Sequence, residues 1–514
     1  MVFWISLVVV LVFVVWGVLD PAGLAAASDT ILAVMTEKFG WFYLLATFSF
    51  LIFGLYLAFT RYGKIRLGAD DDRPEYSTRA WFAMLFSAGM GIGLVFWGVA
   101  EPLSHFLVPP QDAAPQTAQA ARLAMRYSFF HWGLHAWGIY TAIGLSIAYF
   151  TFRKGSSGLI SSTFYPLLGE KSRGWIGKAI DTLAIIATIF GVATSLGLGT
   201  LQINGGLSHV AGVDNSLSNQ MVIIAVLTVM YLLSATTGLD KGIKFVSNIN
   251  LGTAVVLLVF VLFAGPTSFI FDVLTTTVGS YAQNLIQMSL TLTPFTAGNW
   301  IKNWTLFYWA WWIAWAPFVG MFIARISKGR TIKEFVLGVL IAPSVFGFIW
   351  FSVFGGTGLN LELFHNGQIA EAVKEDVTSA LFLTLDQLPL GTILSVIATA
   401  LIITFFVTSA DSATFVLGML SSKGVQNPRT AVKMVWGLLQ SSIAAVLLSS
   451  GGLQGLQTAS VVAAAPFAVI MCLMCYSLWT ALQQEFEEPS RPRGPKSDGD
   501  GERRVPVAGG DRPK

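Results

Sequence analysis

Four tryptophans fall within the nine residues Trp309-Ala-Trp-Trp-Ile-Ala-Trp-Ala-Pro317, inside an apolar run long enough to cross a membrane. At ~100° per residue, Trp311, Trp312 and Trp315 share an arc of about 100° and Trp309 points roughly away. Tryptophan in membrane proteins is usually interfacial, where its indole N–H reaches water. A mid-span cluster needs another reason. Indole faces attract a cation that cannot hydrogen-bond, and aromatic cages hold quaternary ammonium groups at roughly 0.5–2 kcal/mol per contact. Dense aromatic packing between helices would give the same pattern, and this stretch alone leaves both readings open. A second set stands in Phe129-Phe-His-Trp-Gly-Leu-His-Ala-Trp-Gly-Ile-Tyr140. Read as one helix, it places Trp132, Trp137 and Tyr140 over ~12 Å and an arc of ~140°, so two helices could face each other with aromatic walls.

Other chemistry-bearing residues are sparse. Gly89-Met-Gly-Ile-Gly93 lacks the strand and helix that flank a phosphate loop. It is either a close-packing surface of small residues or an unwound stretch whose carbonyls and amides face a ligand, since irregular backbone at membrane depth must line a protein cavity. In Phe405-Phe-Val-Thr-Ser-Ala-Asp-Ser412, the hydroxyls of Thr408 and Ser409 suit a hard cation, although such hydroxyls often bond their own helix instead. Asp411, ionisable within a span, is a proton-relay candidate or a hydrogen-bonded structural carboxylate. His131 and His135 are spaced for one helix face, but no third metal ligand accompanies them in the sequence. Cys472 and Cys475 form a C-x-x-C in an apolar segment with no electropositive neighbour, which favours packing over redox chemistry.

The elements that must position these groups follow from composition. With 54% hydrophobic and 11% charged residues, the chain is far from the ~25% charge of soluble domains and reads as an all-α polytopic membrane protein. Runs near the ~20 residues a span requires occur at about 2–19, 41–60, 81–99, 129–150, 179–203, 219–237, 245–264, 304–326, 335–354, 392–417, 431–449 and 456–482, predicting about twelve helices. The first is expected to stay as a helix despite the small residues Ala25 to Ser28, because no Lys or Arg precedes it. Lys and Arg gather at Arg61/Lys64/Arg66, Arg153/Lys154/Lys171/Arg173/Lys178, Lys241/Lys244, Arg325/Lys328/Arg330/Lys333 and Lys423/Arg429/Lys433, in every second connection. Those connections, and both termini, are therefore expected in the cytoplasm. No nucleophile–base set appears, so an enzyme is not expected.

The runs Phe130-His-Trp-Gly-Leu-His-Ala-Trp137 and Tyr308-Trp-Ala-Trp-Trp312, the latter followed by Pro317-Phe318, resemble those of the betaine/choline/carnitine transporter (BCCT) family, and the resemblance covers nearly all of the chain outside its termini. It implies the leucine-transporter-like five-plus-five inverted repeat. Residues 1–80 would be two peripheral helices and a cytoplasmic loop, 81–265 and 304–482 the repeats, 266–303 an amphipathic surface helix bridging them, and 483–514 a disordered cytoplasmic tail. A homotrimer in the plasma membrane is implied as well. Carried over by position, Trp132, Trp137, Tyr140 and Trp312 form the cage, Trp311 and Trp315 lie along the path, and Gly89, Gly91 and Gly93 meet the substrate. Members selecting choline tend to have Asp where Gly93 stands, which points to a zwitterion such as glycine betaine. One sodium site would use Ser87, Met90, Phe405, Thr408 and Ser409. A second would use Thr188 and Phe318, with Val192 where a hydroxyl is expected. Sodium-independent members place an arginine in helix five, whereas no Arg or Lys lies between Ile180 and Ile203. The resemblance thus implies sodium-coupled symport of a compatible solute by alternating access, with no cofactor. The alternatives are proton-coupled or sodium-independent exchange of choline- or carnitine-type substrates, a solute sensor, and a channel. Members that sense osmotic stress carry a longer basic C-terminal helix, whereas this tail is short and mixed in sign.

Overall fold

Inside a bilayer no water is available to backbone N–H and C=O groups, so an apolar run pairs them internally and becomes a helix. The computed structural model describes residues 1–487 except Met90, Asp112, Gly238, Leu239, Thr296 and Ala297, with backbone only at 88–89, 237, 240–244 and 487. The expectations placed on Met90, on the side chains of Lys241 and Lys244, and on 488–514 lie outside the described residues.

Helix α1 is Val2–Leu19 and α2 is Pro21–Phe59. Asp20 accepts a hydrogen bond from the Gly23 amide at 2.9 Å and Pro21 takes the first helical position, so α2 restarts at once. It begins twenty residues before the apolar run at 41–60 and, at 39 residues, spans roughly 58 Å. Next come α3 (Thr78–Gly89) and α4 (Ile92–Leu107), then α5 (Ala118–Trp132) and α6 (Leu134–Ala148). The short α7 (Tyr165–Leu168) precedes α8 (Trp175–Ala211), which ends at left-handed Gly212 (φ 67°). Helices α9 (Leu217–Thr237), α10 (Asp240–Ala264) and α11 (Thr267–Ser289) follow. Helix α12 is Phe307–Ile326, and α13 is Ile332–His365, opened by a reciprocal Thr331/Glu334 capping box. The chain closes with α14 (Ile369–Glu375), α15 (Ser379–Asp386), α16 (Gly391–Ser421) and α17 (Thr430–Glu487), the last interrupted at Gly452.

The fold is all-helical, with no strand among the described residues. Nine helices there are long and apolar enough to cross a bilayer, and α3–α4, bent by 64°, make a tenth. Twelve is reached only if α5–α6 also counts as one broken span and the two arms of α17 count separately.

The span expected at 304–326 holds, α12 continuing through Pro317 to Ile326. The proline ring removes one backbone hydrogen bond, but Ala316, Pro317 and Val319 are buried, and neighbouring helices hold the segment in place. One expectation about a single element changes: residues 483–487 are helical rather than disordered. Glu485 bonds Arg153 and Lys154 and accepts from the Tyr149 hydroxyl at 2.6 Å. Those partners tie down the last turn of α17.

The basic connections other than that of Lys241 and Lys244 meet at one end of the bundle. Leu67 N–H donates to the Arg330 carbonyl at 2.8 Å, and Arg153 Nη1 reaches the Gly68 carbonyl at 2.9 Å. A depression at that end is lined by Met1, Lys154, Arg173, Lys178, Lys423 and Gln484.

Helix α11 is amphipathic: Ile270, Thr277, Tyr281 and Met288 are buried, while Asp272, Gln283 and Gln287 are exposed. It also resolves a local difficulty. The aromatic segment 129–140 is not one helix but breaks at Gly133 (φ −95°, ψ −139°), and a helix start leaves orphan N–H groups. The Tyr281 hydroxyl accepts from Leu134 N–H at 3.2 Å, and Ser289 Oγ meets His135 Nε2 at 2.8 Å. Tyr281→Phe keeps the ring but leaves a buried amide without its acceptor, so stability should fall by about 1–3 kcal/mol. An unchanged thermal midpoint of the purified variant would show that another group satisfies Leu134.

Candidate binding cavity

A cavity of about 280 Å³ lies between α4, α6, α8, α10, α12 and α16, beside the α3–α4 and α5–α6 breaks. That is the small end of the ~300–1,000 Å³ typical of ligand sites. Trp132, Trp137, Tyr140, Trp311, Trp312, Trp315, Gly91 and Gly93 all line it, as do Ser87, Phe318, Phe405, Thr408 and Ser409. No lining residue among those described is charged.

Helix periodicity explains the α12 contribution. Trp311, Trp312 and Trp315 face the cavity, whereas Trp309 packs against Phe130 at 5.0 Å and stacks on His135 at 5.4 Å between ring centroids. Trp311 and Trp312 lie nearly parallel (17°, 4.9 Å), and Trp132 stands almost perpendicular to each (88° and 78°). Tyr140 meets Trp312 edge-on at 6.1 Å and Trp137 at 5.4 Å. Three indole N–H groups are spent on the protein: Trp132 donates to Glu101 Oε2 at 2.8 Å, Trp312 to the His131 carbonyl at 2.9 Å and Trp315 to Ser195 Oγ at 2.9 Å, while Trp311 Nε1 is buried with no hydrogen-bond partner among the described residues. For Trp132, Trp312 and Trp315 the polar edge is occupied, and what remains for a guest is π-surface. Such a site attracts a cation lacking N–H donors.

Gly89 is the last residue of α3, and extended Gly91 starts α4. At Gly93 a Cβ would stand 2.5 Å from Trp311 Cη2 and 3.2 Å from Trp132 Cη2. Glycine here lets the two ring systems approach.

The cation-ligand candidates divide. Ser87, Phe405, Thr408 and Ser409 share the cavity. Thr408 donates to the Thr404 carbonyl at 2.9 Å and accepts from Asn250 Nδ2 at 3.4 Å. Phe318 lines the cavity beside Trp315, but Thr188 does not. It is fully buried, and its hydroxyl donates to the Ala184 carbonyl at 2.7 Å. Ser195, three residues beyond Val192, supplies a lining hydroxyl on α8. Asp411 is buried on α16 and is not a lining residue. Cys472 and Cys475 are free thiols.

Glu101 and His105 were absent from the sequence-derived set. Glu101 is wholly buried, accepts from the Tyr308 hydroxyl at 2.5 Å, and meets His131 Nδ1 at 2.7 Å and His105 Nε2 at 3.2 Å. His131 thus turns to Glu101 rather than pairing with His135. The sequence signal is an ionisable pair four residues apart in the apolar segment Ile92–Leu107, which ranks as a functional candidate by default.

Membrane-length helices broken around one uncharged, aromatic-walled cavity have the architecture of a secondary transporter. The betaine/carnitine/choline family transporter (BCCT) model matches residues 1–487, and the chain belongs to that family of multi-span membrane transporters. It is 50% identical over 503 residues to the glycine betaine transporter OpuD of Bacillus subtilis, covering 96% of this chain and 98% of the relative. It is also 50% identical over 484 residues to an ectoine/hydroxyectoine transporter of Virgibacillus pantothenticus (94% and 96% covered). A glycine betaine transporter of Acinetobacter baylyi is 43% identical over 484 residues (94% and 73% covered).

A side chain at position 93 must displace Trp311, so Gly93→Ala should weaken binding of every ligand. Gly93→Asp adds a charge to the same steric effect and should shift preference from betaine toward choline relative to Gly93→Ala. Identical betaine-to-choline ratios in the two variants, measured by competition binding, would remove charge reading from this position.

Proposed function

We propose that this chain is a secondary active transporter that carries glycine betaine across the plasma membrane by sodium symport and alternating access. The observation that carries the reading is the cavity walled by Trp132, Trp311 and Trp312, with no charged residue among its described lining and with the N–H groups of Trp132 and Trp312 bonded to the protein. A trimethylammonium group cannot hydrogen-bond and is stabilised by such faces. Gly91 and Gly93 leave backbone amides for the substrate carboxylate. Ser87, Thr408 and Ser409, with the carbonyl of Phe405 and with Met90, are the proposed sodium ligands. Thr408 spends its proton on its own helix, which leaves its oxygen as the acceptor a hard cation needs. The second sodium site is not supported to the same degree, because Thr188 and Phe318 do not line one cavity.

Ectoine transport is the second reading, favoured by a relative of that name at equal identity. Its ring N–H groups need acceptors, and the lining hydroxyls of Ser195, Ser247 and Ser412 are available for that role. The basic end of the bundle supports a cytoplasmic location for it, and so for Met1 and the end of α17. Assembly as a homotrimer remains part of the same reading, tested by the mass of the detergent-solubilised protein.

Uptake of labelled glycine betaine, choline, ectoine and carnitine into proteoliposomes, with and without a sodium gradient, tests substrate and coupling together. Betaine uptake should require inward sodium. Uptake that instead follows a proton gradient would replace sodium by the proton and turn attention to Asp411. Trp312→Leu should weaken betaine binding by about 1–2 kcal/mol, roughly ten-fold, and unchanged affinity in the folded variant would sink the cage assignment. Thr408→Ala/Ser409→Ala should raise the sodium concentration for half-maximal uptake and, by linkage, lower betaine affinity at fixed sodium. Sodium titrations of binding that overlay for wild type and variant would place the ion elsewhere.

A further inference from the structure

Glu101 stands behind the cavity wall rather than in it, and its two oxygens face four partners. Oε2 accepts from Trp132 Nε1 (2.8 Å) and the Tyr308 hydroxyl (2.5 Å), and Oε1 meets His131 Nδ1 (2.7 Å) and His105 Nε2 (3.2 Å). A carboxylate offers about four lone-pair sites, and an indole N–H can only donate. The proton inventory closes with an ionised Glu101 and two neutral imidazoles. His131 donates from Nδ1 and accepts at Nε2 from Thr305 Oγ1 (3.0 Å). His105 donates from Nε2, and its Nδ1 has no hydrogen-bond partner among the described residues. A proton there would bury an unsatisfied N–H, so the neutral tautomer is the less costly. Glu101, His105 and His131 come within 4.8 Å of one another, as metal ligands would. Both imidazole contacts, however, converge on a single oxygen, which is the pattern of a hydrogen-bonded carboxylate.

Trp132 is thereby distinguished from the other cage rings. Trp312 donates to a backbone carbonyl and Trp315 to a serine hydroxyl, whereas Trp132 donates to a wholly buried carboxylate. Low local dielectric strengthens such a bond, and chained bonds polarise one another. Electron density drawn from the N–H onto the indole makes its face more negative, and that face attracts cations.

We propose that Glu101 is a positioning residue for transport, holding Trp132 across Trp311 and Trp312 and, through the indole N–H, making that ring face more attractive to the substrate's ammonium. The proposal rests on the aromatic-cage reading. It is tested by binding of glycine betaine and of tert-butylacetate, which has the same shape and carboxylate but carbon in place of the ammonium nitrogen. Wild type should favour betaine. Glu101→Gln should weaken betaine by roughly ten-fold, the order of a strong cation–π contact, and change tert-butylacetate by less than about two-fold. Equal loss of both ligands would reduce Glu101 to a structural support and overturn the proposal, as would an unchanged ratio. If wild type binds both ligands equally, the cage reading itself fails, a result distinct from either. Should Glu101→Gln not fold, Tyr308→Phe decides. It keeps the ring and removes one donor from Oε2, so betaine should gain over tert-butylacetate, and a constant or falling ratio would overturn the proposal.

Discussion

A backbone amide in a bilayer core has no water to fall back on, and this constraint organises the molecule. The long helices satisfy it largely internally, and two interruptions among the described residues, between Gly89 and Ile92 and at Gly133, lie beside the central cavity. At Gly133 the debt is met by the Tyr281 hydroxyl from α11. An amphipathic helix whose exposed face carries Asp272, Gln283 and Gln287 is therefore also a support for the site, since Tyr281 and Ser289 reach Leu134 and His135, two and three residues past Trp132.

The same economy governs the side chains. Tryptophan brings a large apolar ring into the interior together with one N–H that must be bonded. Here Glu101, the His131 carbonyl and Ser195 take the N–H groups of Trp132, Trp312 and Trp315, which fixes ring orientation. Gly93 contributes by absence, because a methyl group there would overlap Trp311. In the proposed function such a cage selects by shape and by the sign of charge, with no charged residue among its described lining. Glu101 lies one layer out, where its charge is matched by hydrogen bonds.

Much of this was legible in the sequence because helical periodicity is a local property. The spacing of Trp311, Trp312 and Trp315 was enough to put them on one face with Trp309 opposite. The apolar runs marked the helices, and the basic clusters other than Lys241/Lys244 marked connections that meet at one end of the bundle. Local rules failed where neighbours intervened. Trp132 to Tyr140 reads as one helix, yet the chain turns at Gly133 and still delivers three rings to one cavity.

Long-range pairing was not legible at all. Glu101 meets His131 thirty residues away and Tyr308 at a separation of 207, and no periodicity relates such positions. Thr188 and Phe318 sit on helices that pack together, but only one of them turns toward the cavity. The sequence alone determined which segments are helices and which ring faces share a side, because 3.6-residue geometry acts over a few residues. Only the tertiary structure decided which of those sides meet, which buried polar groups pair and where a cavity opens, because these depend on contacts between segments remote in the chain.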